Sequence, residues 1–168
     1  EGLPEWVGQA GVPPEARLRA FIRDRLEAWF VDNDRLLCGD ALMLRELIEP
    51  TPVLEEVVRA RLAPAAQRLL HLVQDLMGVQ RTSLEAAPER EMLCALSVIG
   101  QCLHHFFCRS VTPMLFPGMG YDPESVERLA AHIAEFSLAG VRAVARTVEL
   151  QGAAAAAGVF VDVADDGD

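Results

Sequence analysis

The chain has no lysine: all 15 of its basic residues are arginine, against 25 acidic residues, and its net charge is −10. The arginines are scattered, so no basic run can follow a line of phosphates. By itself the chain is not expected to bind nucleic acid. It also lacks a C-x-x-C pair; Cys38, Cys94, Cys102 and Cys108 stand apart. That spacing fits buried free thiols in a reducing compartment rather than a disulfide framework. A basic start followed by an apolar stretch is missing too, so no signal peptide is expected. No nucleophile elbow, phosphate loop, H-E-x-x-H or Glu-x-x-His pair occurs, which leaves an enzymatic reading without residues to carry it. The Glu55-Glu56 pair reads as a solvated helix start.

One absence is local. From Met92 to Cys108 there is no Asp, Glu, Lys or Arg, yet the run holds Ser97, Gln101, His104, His105 and three cysteines. It is short for a membrane span, and the polar groups near its middle argue against one. Buried in a protein, those groups need partners, because an unpaired buried polar group costs about 1–3 kcal/mol. The partners would be other helices, a second subunit or a ligand.

At 168 residues the chain is long enough for one domain that buries about two-thirds of its unfolded surface. The pattern is helical throughout and predicts an all-α bundle, orthogonal or antiparallel, of about five main helices. The first opens at Pro13-Pro14, with Leu18, Phe21, Ile22, Leu26 and Trp29 on its apolar face. Val31–Gly39 reads as a connection. A second helix covers about Asp40–Glu49 and stops at Pro50-Thr51-Pro52. A third starts with Thr51 as cap and ends at Gly78, kinked at Pro64. The fourth runs from Pro88 to about Ser110, and Thr112–Tyr121 is a Pro/Gly-rich turn region. Asp122-Pro123-Glu124 starts the fifth, which runs to about Gln151. Residues 1–12 read as a linker, 13–151 as the helical domain and 152–168 as an acidic tail.

The last two helices carry more apolar surface than one packed face uses. On the fourth, Ser97, Gln101, His104 and Cys108 fall on one line, with Gly100 beside it. On the fifth, only Arg128, Glu135, Arg142 and Glu149 form a polar stripe. The surplus predicts a homodimer seam that includes Ser97, Gly100, Ile133, Phe136, Gly140 and Val144. The alternative is that both are central helices of a monomeric bundle.

Three kinds of chemistry follow from the remaining residues. An organic-ligand pocket, apolar with a few polar groups, would draw on Phe21, Trp29, Met43, Glu46, Gln101, His104 and His105. A metal or redox sensor would use His104 with Cys108 and Cys102 with His105. It lacks a converging third and fourth ligand unless His71, His132, Cys38 or a partner chain supplies them. The bland alternative is packed thiols and satisfied histidines. No cofactor is called for.

Three segments are distinctive: Arg17-Leu18-Arg19-Ala20-Phe21-Ile22, the run Leu42–Pro52 ending R-E-x-x-E-P-T-P, and Cys94–Leu103 with S-x-x-G-Q-C. With the helix from Glu127 onward, they make about Pro14–Thr147 resemble the C-terminal regulatory domain of TetR-family transcriptional repressors, in the subgroup with a CecR-type C-terminal domain. The resemblance implies a bacterial, cytoplasmic homodimer built on its last two long helices. It also implies a hydrophobic small-molecule effector held inside each bundle. Operator DNA would be read by an N-terminal helix-turn-helix head, which has no counterpart before Pro13. The acidic charge of this chain agrees with DNA contact being made elsewhere.

Overall fold

The structure is a computed structural model that describes residues 11–31, 45–46 and 48–156, with side chains omitted at 61, 148–149 and 151–156. Among these residues it is all helix and turn, with no strand. Met43, Cys38, most of the Val31–Gly39 connection and most of the expected second helix lie outside the described residues. Arg45, Glu46 and Ile48, from that expected helix, are helical.

Helix α1 spans Pro14–Phe30, with Pro13 at its N-cap. The two prolines suit this position, since the first turn leaves its N–H groups unbonded anyway. Helix α2 is Val53–Val57; it passes through a π-helical turn, Val58–Leu62, into α3, Ala63–Met77. The turn stands where a kink at Pro64 was expected. Proline has no N–H to offer the ladder; here the Ala63 N–H reaches back to the Val58 carbonyl, and a widened turn accommodates the proline without ending the helix. Thr51 acts one residue earlier than a cap at the helix start: its Oγ1 accepts a hydrogen bond from the Val53 N–H at 3.3 Å. Gly78 closes α3 in the left-handed region, at φ 69°. There the Val79 N–H bonds the Gln74 carbonyl, a wrap that glycine adopts without a Cβ penalty.

A 3₁₀ turn, Leu84–Ala86, leads to α4, Glu89–Phe107. The expected turn region after it contains one short helix, α5, Thr112–Leu115. The last helix, α6, spans Pro123–Ala156 and so continues beyond Gln151 into the segment read as tail. At its start Asp122 Oδ1 accepts from the Ser125 N–H and Oδ2 from the Ser125 hydroxyl.

Helices α1, α3, α4 and α6 each contact the other three. Ion pairs Glu15–Arg142, Arg19–Glu135 and Arg23–Glu127 run along α1 and α6 in opposite order, so these two helices are antiparallel. Their shared interior holds Leu18, Phe21, Ile22, Leu26 and Trp29 of α1, Leu69 and Leu72 of α3, Val98, Cys102 and Phe106 of α4, and Val126, Ile133 and Leu138 of α6. A second cluster joins Val73 and Met77 to Cys94 and Val141. Burying one such side chain contributes about 1.5–3 kcal/mol.

Candidate functional site

Among the described residues three regions bring side chains together: an aromatic end of the bundle, a buried polar clasp and an outward apolar face.

The aromatic end forms where α1 stops, α4 stops and α6 is about to start. Trp29 packs on Phe106 with ring centroids 5.1 Å apart. Phe30 stacks on Tyr121 at 4.4 Å. His105 Nδ1 and the Tyr121 hydroxyl share a hydrogen bond at 3.2 Å. The Arg109 guanidinium lies 4.9 Å from the Phe106 ring centroid and donates to the Phe106 carbonyl. Burial holds the His105 pKa below its ordinary value, with smaller contributions from His104 and His132. The neutral ring is the form that desolvation favours. Of the expected pocket residues among those described, Trp29 and His105 lie at this end, and the His104 ring stands edge-on to His105 with centroids 5.6 Å apart. Phe30, Phe106 and Tyr121 were not singled out from sequence. The one tyrosine of the chain, just before the Asp122-Pro123 start, was the available signal.

The other expected pocket residues are placed differently. Phe21 is sealed in the core at 2% exposure. Glu46 is buried, but its Oε2 accepts from the Thr51 N–H at 3.0 Å and the Thr51 hydroxyl at 2.7 Å. It thereby ties the R-E-x-x-E-P-T-P turn together. Gln101 donates to the Ser97 carbonyl and to the Ser137 hydroxyl at 3.0 Å, which makes it a bridge from α4 to α6. His104 is exposed. A depression lined by Arg19, Arg23, Glu127, Ala130, Ala131 and Ala134 holds about 60 Å³, far less than the roughly 300–1,000 Å³ of a small-molecule pocket.

The polar clasp had no sequence signal. Gln74, fully buried on α3, donates from Nε2 to Glu91 Oε2 and to Thr82 Oγ1, both at 2.7 Å, and accepts from the Thr82 N–H. Gln67 donates to the Thr82 carbonyl and accepts from the Leu84 N–H. His71 Nε2 lies 3.2 Å from that same carbonyl. Asp75 pairs with Arg17 of α1 and with Arg81. The Arg81 hydrogen bond, with help from Arg17, holds the Asp75 carboxyl below its ordinary pKa against the opposing effect of burial. The clasp therefore fixes the connection between α3 and α4 against both helices.

The outward face lies along α4 and α6. Leu93, Leu96, Ser97, Gly100, His104 and Phe107 are exposed at spacings of three and four on α4. Phe136, Gly140, Ala143, Thr147 and Leu150 are exposed in the same rhythm on α6. Leu96 is 63% and Phe136 65% exposed. Ser97, Gly100, Phe136 and Gly140 thus stand on the face expected for a seam. Ile133 and Val144 do not: Ile133 is 2% exposed within the core, and Val144 packs on the second cluster. Both lie on the side of α6 turned to its own bundle.

For metal or redox chemistry, the four expected residues separate. Cys102 is in the core, where burial pushes its thiol up to about 12, so it is neither a ready ligand nor a nucleophile. His105 is engaged with Tyr121. Only His104 and Cys108 share a face, with Nδ1 and Sγ 3.8 Å apart. Among the described residues no group of three or more His, Cys, Asp or Glu converges on a metal position. No helix among them is long and apolar enough to cross a membrane.

No curated protein matches the chain. The four-helix core and the segments that carry the resemblance fall within residues 14–141, which match the family model for the C-terminal domain of the HTH-type transcriptional dual regulator CecR. This chain therefore belongs to that family of transcriptional-regulator C-terminal domains.

Proposed function

We propose that this chain is the effector-binding and dimerisation module of a TetR-like transcriptional repressor of the bacterial cytoplasm. The observation that carries the reading is the outward apolar face on two long helices of a transcriptional-regulator domain. Apolar faces of this extent mark interaction sites. A second copy is the simplest partner, because two antiparallel helices from each chain complete a four-helix interface with one self-complementary patch.

The effector in this reading is a hydrophobic small molecule that enters at the aromatic end. Trp29 and His105 offer a flat apolar wall and one polar group there, beside Phe30, Phe106 and Tyr121. The rings are closely packed, so a ligand must part them. A ligand that favours the parted arrangement shifts the population of the dimer toward it. The coupling to DNA is reciprocal: operator bound by a helix-turn-helix head outside these residues would weaken effector binding by the same factor.

Sedimentation tests the dimer; a monomer at micromolar concentration would remove that part. The effector is tested on a Trp6→Phe variant, whose only tryptophan is Trp29. Members of a hydrophobic small-molecule library that bind should raise the melting temperature through linkage and change Trp29 emission. Hits that raise the melting temperature without altering Trp29 emission would place the effector elsewhere. No hits at all would sink the effector reading.

A further inference from the structure

The outward face of α4 is apolar along most of its length, with one pair of soft donors on it. His104 and Cys108 are one helical turn apart, and they lie at the C-terminal end of the stripe that also holds Leu93, Leu96, Gly100 and Phe107. Their Nδ1 and Sγ atoms are 3.8 Å apart. A tetrahedral zinc with Zn–S of about 2.3 Å and Zn–N of about 2.0–2.1 Å needs its sulfur and nitrogen about 3.6 Å apart. The pair therefore already has nearly the spacing of one edge of a zinc tetrahedron, with His104 in the last turn of α4 and Cys108 at its C-cap.

Two ligands are half of such a site, and the single chain does not supply the rest. Cys102 faces the core, His105 is held by Tyr121 and His71 by the Thr82 carbonyl. No larger group of donors converges among the described residues. A twofold dimer that sets this end of α4 against its own copy would supply it. In such an interface each patch meets its own copy, and residues on the midline approach their mates across the axis.

We propose that His104 and Cys108 from each of two chains form a His₂Cys₂ zinc site across the dimer seam. The proposal rests on the dimer reading above. On ligation each Cys108 gives its thiol proton to solvent, and zinc, with no redox chemistry of its own, closes the tetrahedron. The ion would tie the two α4 helices together at one crossing. The mixed nitrogen and sulfur donors favour zinc over magnesium or calcium.

The test uses the full chain, freed of metal, dialysed against zinc chloride and measured by elemental analysis. Sedimentation is run in parallel with EDTA and with zinc. The expected result is one zinc per two chains, lost in His104→Ala and in Cys108→Ser and kept in His132→Ala. Cobalt in place of zinc should show the intense visible bands of tetrahedral thiolate coordination in the wild type only. His104 is exposed and Cys108 half-buried at the end of α4, so both variants should keep their helical circular dichroism, which is checked first. A chain that dimerises in EDTA but retains no zinc overturns this site alone. So does zinc binding that survives Cys108→Ser or disappears in His132→Ala. A chain that is monomeric with and without zinc overturns the dimer reading and this site with it. A dimer that forms only with zinc supports both.

Discussion

Phe106 and Phe107 are neighbours in sequence and opposite in environment. Phe106 is 4% exposed and touches Trp29 and Phe30; Phe107 is 48% exposed. The same division runs the length of α4. Cys94, Val98 and Cys102 lie inside, while Leu93, Leu96 and Gly100 lie outside. Residue type does not separate the two faces, since both are apolar. Helical phase relative to the core does, and an apolar face left over after the core is full needs a second surface. The inner face of α4 stabilises the chain, whereas the outer face is left exposed by the chain's own core.

The sharpest way to break this comparison is to remove each phenylalanine in turn. Phe106→Ala should cost about 3–5 kcal/mol of unfolding free energy, because it deletes a buried ring and leaves a cavity. Phe107→Ala should cost far less when urea unfolding is followed at a protein concentration low enough to keep chains apart. Equal losses would mean that α4 has no inner and outer face in solution.

A second contrast is between polar groups. Gln74 is buried with its amide fully engaged, while the Ser97 hydroxyl on the outer face donates back to the Leu93 carbonyl of its own helix. Gln74→Leu strands Glu91 and Thr82 without their partner and should destabilise by about 1–3 kcal/mol in denaturant unfolding. Ser97→Ala should change stability by no more than about 0.5 kcal/mol in the same measurement, as surface substitutions usually do.

The helices themselves were legible in the sequence, and the reasons are local. Pro13-Pro14, Asp122-Pro123 and Gly78 act through backbone geometry that neighbouring residues decide. Pro64 was legible as a perturbation but not as a π turn, because the ladder's response depends on where the helix is held. The clasp around Gln74 was invisible. Gln74, Thr82 and Glu91 are brought together by tertiary packing, and glutamine on an amphipathic helix ordinarily faces water. The candidate site was legible in part. Of the residues that spacing grouped, Ser97, Gly100, Phe136 and Gly140 are exposed, whereas Ile133 is buried and Val144 half-buried against their own bundle. A helical wheel orders side chains around an axis without showing where the core begins. The aromatic end needed Phe30 and Tyr121, which are far apart in the chain.

Asp75 extends the comparison to pH. Its folded pKa is lowered, chiefly by Arg81, so its stabilising contribution is present above the unfolded value of about 3.9. That contribution is lost as pH falls through the lower folded value, because the unfolded state then binds the proton more readily. Asp75→Asn should therefore flatten the acid limb of a stability-versus-pH curve and leave the outer face untouched. The measurement is a series of urea melts from neutral to acid pH, with the sedimentation profile at neutral pH unchanged. If the acid limb kept its slope, the Arg17–Asp75–Arg81 clasp would not operate in solution.

The smallest effect on folding is expected on the outer face, and there the reading is most exposed. Leu96→Gln replaces a side chain that touches solvent with one that does the same, so the isolated chain's unfolding free energy should stay within about ±0.5 kcal/mol. A dimer melts at a temperature that rises with protein concentration, because association stabilises only the folded chains. Leu96→Gln combined with Phe136→Gln should abolish that dependence while the melting temperature at high dilution stays at the wild-type value. A variant that melted lower at every concentration would show that these side chains support the fold of their own chain. The outer face would then be an extension of the inner one, and the surplus apolar surface would lose its claim to a partner.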